Sequence, residues 1–247
     1  MPYQIDPSAR DIVPNLPAVP AIRFLTTGDF PPFNFRDSAG QLIGFNIDLS
    51  RLICGELNVA CTIQAWPWEQ ATNALADNQG DALIAGLEIS PENGARFDFS
   101  ALYLQLPGRF VVRSADIAGF DGAIAGKTVA VRAGSRHEEF LRRYLPTASV
   151  QTFPTEFEAL DAMKANGADA YFGDAMRASF WINDNLDCCG FAGDPYFRPD
   201  LFGPGLAIAV PPGRDAIRQA IDWALVRLKR EGKTDELYLR WFPVSFY

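Results

Sequence analysis

Twice along this chain, strand-like and helix-like stretches alternate in the same order, and nothing else in the sequence limits the possible folds so strongly. From Ile22 onward a strand (AIRFLTT), a loop (GDFPPFNFRDSAGQLIG), a helix (FNIDLSRLICGEL), a strand (CTIQAW), a helix (WEQATNALADNQG) and an apolar strand (DALIAGL) follow one another. The pattern then returns with different residues: strand KTVAVRAG, helix SRHEEFLRRYL, strand SVQTFP, helix TEFEALDAMKANG, strand ADAYFGD. Strands separated by helices of this length imply parallel sheets flanked by helices, with ligands received beyond the carboxyl ends of the strands. Between and after the repeats, FSALYLQLPGRFVVR and FRPDLFGPGLAIAVPPG read as buried extended segments. The last stretch, RDAIRQAIDWALVRLKREGKTDELYLRWF, has helical apolar spacing broken at a glycine and reads as two helices.

A chain of 247 residues, 48% of them hydrophobic, can bury one large core or two modest ones. No apolar run approaches the roughly 18 to 20 uncharged residues that span a bilayer. The formal charge of −8, with 22 basic residues thinly spread, argues against nucleic acid and anionic membranes and favours a small solute. The first 20 residues are proline-rich and aperiodic, an N-terminal arm over 1–21. They lack the basic start and apolar centre of a secretory signal, so the chain is either cytoplasmic or begins after a removed signal; removal is the favoured reading.

Four cysteines and one histidine make neither a disulfide scaffold nor a zinc site, and no metal or cofactor is expected. A helix-to-strand turn would bring Cys54 and Cys61 together, as a disulfide or as two buried thiols. For the adjacent Cys188 and Cys189 a vicinal bridge is open, with unpaired thiols the favoured state.

Five motifs stand in an order and spacing that resemble the polar amino-acid family of type II periplasmic solute-binding proteins, from about Ile22 to Tyr247. They are GDFPPFNFRDSAGQLIGFNIDLS, GDALIAGLEISPENGARFDFS, AGKTVAVRAGS, ADAYFGDAMRAS and LKREGKTDELYLRWF. The resemblance implies an α/β, two-lobed periplasmic-binding-protein fold (type II): two parallel or mixed sheets with flanking helices, joined by a two-strand hinge. Lobe 1 would comprise 22–106 and 205–247, lobe 2 109–200. The family includes a disulfide at the spacing of Cys54 and Cys61, which implies an oxidising compartment, the periplasm. It further implies a monomer that holds a ligand between its lobes and delivers it to an ABC permease in the inner membrane. Closure would follow from ligand binding better to the closed state than to the open one.

On the resemblance, Phe30 and Trp68 hold the stacking positions against the ligand, whereas Phe33 and Trp66 read as packing residues. Gly86 and Glu88 occupy positions that often carry ligand-binding hydroxyls, Ser90 reads as a helix N-cap before Pro91 and Glu92, and Asn93 stands where the family has its carboxylate-binding arginine. Arg96, one turn later, reads as a surface residue. In the second half, Ser135 would cap a helix whose amino end favours an anion, and Arg136 could take over carboxylate recognition. His137 reads as structural. Asp174 matches the carboxylate that holds a ligand amino group.

Two acids facing one base, Arg136, would favour a positively charged, amine-bearing ligand held by Asp174 and Glu88, with acidic amino acids binding poorly. Two other function classes compete with import. One is a ligand-sensing domain of a receptor. The other is an enzyme resembling cyclohexadienyl dehydratase, which shares the superfamily, although no nucleophile paired with a base is visible.

Overall fold

The computed structural model describes residues 13–15 and 18–247, so most of the expected N-terminal arm lies outside the described residues. The chain divides into two compact units. One runs up to Leu104 and resumes over Gly205–Trp241; the other is Gln105–Pro204 together with Phe242–Tyr247.

The first unit has a five-stranded sheet in the order Ala60–Ala65, Ala21–Thr26, Ala82–Leu83, Ala209–Val210, Asp98–Phe99. The first three strands are parallel, and Ala209–Val210 runs antiparallel to both of its neighbours. Its helix Phe45–Leu57 carries Phe45, Ile47, Leu49, Ile53 and Leu57 on the buried side. That spacing of apolar residues gives one face to the core. Asn58 ends the helix in the left-handed conformation, with φ 54°, and the Val59 amide donates to the Cys54 carbonyl. This reversal brings the next strand back beside the helix, and Cys54 and Cys61 are disulfide-bonded. The helices Asp215–Arg230 and Lys233–Trp241 pack on Phe45–Leu57, separated by Gly232 as the sequence pattern anticipates. A buried polar chain ties the loop after the first strand: Asn34 Nδ2 donates to Thr27 Oγ1 (2.8 Å), Asn46 Nδ2 to Asn34 Oδ1 (2.7 Å) and the Tyr103 hydroxyl to Asn46 Oδ1 (2.9 Å).

In the second unit the sheet order is Ser149–Phe153, Thr128–Arg132, Ala170–Asp174, Gly108–Arg113, Cys189–Tyr196. The first three strands are parallel, and the last two pair antiparallel. One face packs Phe110, Phe140 and Phe172; the other packs Tyr171, Leu160 and Trp181. Cys188 and Cys189 are joined as a vicinal disulfide, which corrects the expectation of unpaired thiols.

Three other expectations change. Trp241 is the last residue of the first unit, whereas the resemblance extends that unit to Tyr247. Phe242 and Phe246 are buried, Phe242 lies 6.3 Å from Phe180, and the Tyr247 hydroxyl accepts from the Gln105 amide, so the tail joins the second unit. The chain therefore passes between units three times, not twice. Within the segment expected to be extended throughout, Pro199–Phe202 is a short helix, started by a proline whose missing N–H costs nothing in the first turn.

Candidate functional site

In the first unit, Phe30 and the predicted contact residues Gly86, Glu88, Ser90 and Asn93 gather around the loop after Ala82–Leu83. Phe30 stacks on the fully buried Phe33, centroids 4.9 Å apart, and its Cε1 lies 2.8 Å from where a Gly86 Cβ would stand. Gly86 has φ +76°, so both backbone and space demand glycine there, whatever hydroxyl related chains carry. Ser90 caps the short helix Pro91–Gly94, accepting from the Asn93 amide at 3.2 Å. The Asn93 side chain donates to the Glu88 carbonyl at 2.9 Å, closing the loop on itself, while the Glu88 side chain is exposed. Trp68 opens the helix Trp68–Ala76 and is 44% exposed, a large apolar surface left to solvent. Trp66 instead packs on the core beside Leu75 and Phe97. Arg96 is engaged at the surface, donating to Asn73 Oδ1 at 3.1 Å and lying over the Phe97 ring.

The second unit contains a concavity of about 390 Å³, within the roughly 300–1,000 Å³ that small-molecule sites occupy. Topology places it. Arg132 ends the strand Thr128–Arg132, Asp174 ends Ala170–Asp174, and Glu156 begins the helix after Ser149–Phe153. The carboxyl ends of three parallel strands thus deliver charged groups to one place. Arg177 adds a fourth from the first turn of the helix that Asp174 caps.

Glu156, with its side chain only 10% exposed, faces two guanidinium groups: Arg177 at 3.2 Å and Arg132 at 3.7 Å. Asp174 accepts from the Arg177 amide at 2.9 Å, and burial, assisted by the nearby Glu156, pushes its carboxyl above the usual carboxylate range. Ser135 caps the helix Arg136–Tyr144: its hydroxyl accepts from the Glu138 amide and donates to the Arg132 carbonyl. The expected anion seat at that helix end is filled from within the chain, because the Gly134 amide donates to the Glu138 carboxylate at 2.7 Å. Arg142 and then this amide hold the Glu138 carboxyl below its ordinary range. Arg136 lines the concavity, but its side chain is 71% exposed and pairs with Glu139 at 2.9 Å. His137 stacks on Phe202, centroids 4.5 Å apart, and burial, helped by the Arg132 charge, lowers its pKa to about 4.

The structure therefore brings Ser135, Arg136 and Asp174 together in one unit, and Phe30 with Gly86 in the other. Charge reading from sequence needs correction. Arg136 is not the only base: three arginines line the second unit's concavity against two carboxylates, Glu156 and Asp174. Arg132, Glu156 and Arg177 gave no signal as a group because each reads locally as a strand end or a first-turn residue. The observable clue was their common place after parallel strands.

These two α/β units, with a charged concavity beyond the strand ends of the second, define a two-lobed binding-protein fold. Residues 22–244 match the family of bacterial extracellular solute-binding proteins, family 3, and the chain belongs to that family. Similar curated proteins include two of Escherichia coli K12 named for arginine binding in ABC transport. One is 29% identical over 91% of this chain and 92% of its own length; the other is 26% identical over 92% of each. Among solved structures, an ancestral cyclohexadienyl dehydratase shares the fold, with a TM-score of 0.79, 23% identity and coverage of 94% of this chain and 98% of that one.

Proposed function

We propose that this chain is the amino-acid-binding component of an ABC importer, exported to an oxidising compartment, and that it releases its ligand chemically unchanged to a membrane permease. The observation that carries this reading is the concavity at the ends of three parallel strands, sized for an amino acid and lined by charges of both signs. Support comes from the relatives' names: arginine, cystine and histidine binding recur among them, at 23% to 29% identity over most of both chains. Two disulfides fit an extracytoplasmic location.

Thermal unfolding with each of the twenty amino acids and L-cystine at 1 mM tests it. A ligand present at 100 times its Kd stabilises the folded chain by about 2.7 kcal/mol, a rise of roughly 5–10 °C for a protein of this size. The ligand should be recovered intact after incubation. If no amino acid raises the transition, or if mass spectrometry finds the ligand converted, the reading fails.

A further inference from the structure

We propose that Arg132 and Arg177 of the second unit form the seat for the ligand's carboxylate, which makes the solute one with a free carboxylate and not a simple amine. The proposal rests on the reading of the chain as an amino-acid-binding protein and specifies what its site recognises. Two independent observations lead to it.

The first is that the loop in the first unit has no cation to offer. Asn93 stands at the position where the resemblance places an arginine, its amide is spent on the Glu88 carbonyl, and Arg96 is turned to Asn73 and the Phe97 ring. The second is the charge balance around Glu156. A single carboxylate is shared by two guanidinium groups, and Arg132 reaches it only at 3.7 Å, beyond hydrogen-bonding distance. Arg132 makes no side-chain hydrogen bond to another described residue; it lines the concavity, held there by the longer ion pair with Glu156. A planar fork of donors suits a carboxylate, which can accept two parallel bonds. One incoming carboxylate would give the pair of arginines a pair of anions. Glu156 then acts as a positioning residue that orients both forks, while Asp174 stays beside the seat, capping the helix that carries Arg177.

The test compares calorimetric titrations of L-arginine, L-histidine and L-cystine with those of their decarboxylated counterparts, agmatine, histamine and cystamine. Each amine should bind at least about thirty-fold more weakly than its amino acid, the loss associated with removing a charge-assisted contact. Arg132→Gln and Arg177→Gln should each weaken the amino acid about ten-fold or more while leaving the residual amine affinity within about two-fold. A purely structural network would weaken both ligands together. Should a Gln variant fail to fold, Arg132→Lys and Arg177→Lys keep the charge but lose the fork, and should still weaken the amino acid selectively. Amines that bind as tightly as amino acids, or variants that leave amino-acid affinity unchanged, overturn the proposal. If none of the three amino acids binds, the functional reading is decided by the remaining amino acids, and the seat is tested alone by side-chain Nε–Hε NMR with acetate. Saturable shifts of Arg132 and Arg177 then uphold the seat, and their absence refutes it.

Discussion

His137 should make this protein acid-sensitive by a calculable amount. Its ring lies against Phe202 and edge-on to Phe172, and burial, with Arg132 nearby, favours the neutral imidazole. An unfolded histidine titrates near 6.5, whereas this one titrates at about 4. Because the folded value is the lower one, the unfolded chain takes up the proton first. Stability is then full above about pH 6.5, falls as pH drops from there to about 4, and is constant below. The total loss is about 3 kcal/mol, of which about 2 kcal/mol has gone by pH 5. Urea unfolding of the native chain and of His137→Phe, at pH 7.5 and pH 5, isolates this contribution: Phe keeps the aromatic stacking but cannot titrate, so the native chain should lose about 2 kcal/mol more than the variant. As the sequence contains one histidine, its NMR titration is unambiguous. A midpoint of 6 or above, or parallel pH dependence in the two proteins, would refute the reasoning.

Other consequences follow from the same geometry. Replacing Cys54 and Cys61 by serine opens a short loop and should cost about 2 kcal/mol in denaturant unfolding, while thiol titration of the denatured, unreduced native chain should find none of its four cysteines free. Arg23 grips Asp81 with two guanidinium bonds and one backbone bond; burial alone would raise the Asp81 carboxyl, but these contacts hold it below its ordinary range. Since Arg23 is half exposed, Asp81→Asn should cost only on the order of 1 kcal/mol at pH 7. That difference should vanish as pH falls below about 4, and a constant difference down to pH 3 would contradict the assignment. Gly86→Ala, at φ +76° and against the Phe30 ring, should cost about 1–2 kcal/mol, read by thermal unfolding; an unchanged transition would mean the loop is not held as described.

Both repeats were legible because their apolar residues recur at helix or strand spacing over whole elements: the helix Phe45–Leu57 coincides with the stretch FNIDLSRLICGEL, and the strand Ala170–Asp174 lies within ADAYFGD. The fate of the tail was not legible, since Phe242 and Phe246 are apolar enough to be buried against any core and only the fold selects which. Single residues with a local role were readable too. Ser90 and Ser135 are N-caps, as their place before an acidic first turn suggests. The arginine pair was not readable, because Arg132, Glu156 and Arg177 lie more than twenty residues apart and meet only through the parallel order of three strands. Nor was the Asn34, Asn46 and Tyr103 chain, for buried polar side chains leave no periodic trace.

Isothermal titration of the purified chain with L-arginine, L-histidine, L-cystine and the remaining amino acids tests the central claim most directly. The account predicts saturable binding of at least one of them with one site per chain and the ligand recovered unaltered. Flat heats across the whole set, or binding accompanied by consumption of the ligand, would contradict it.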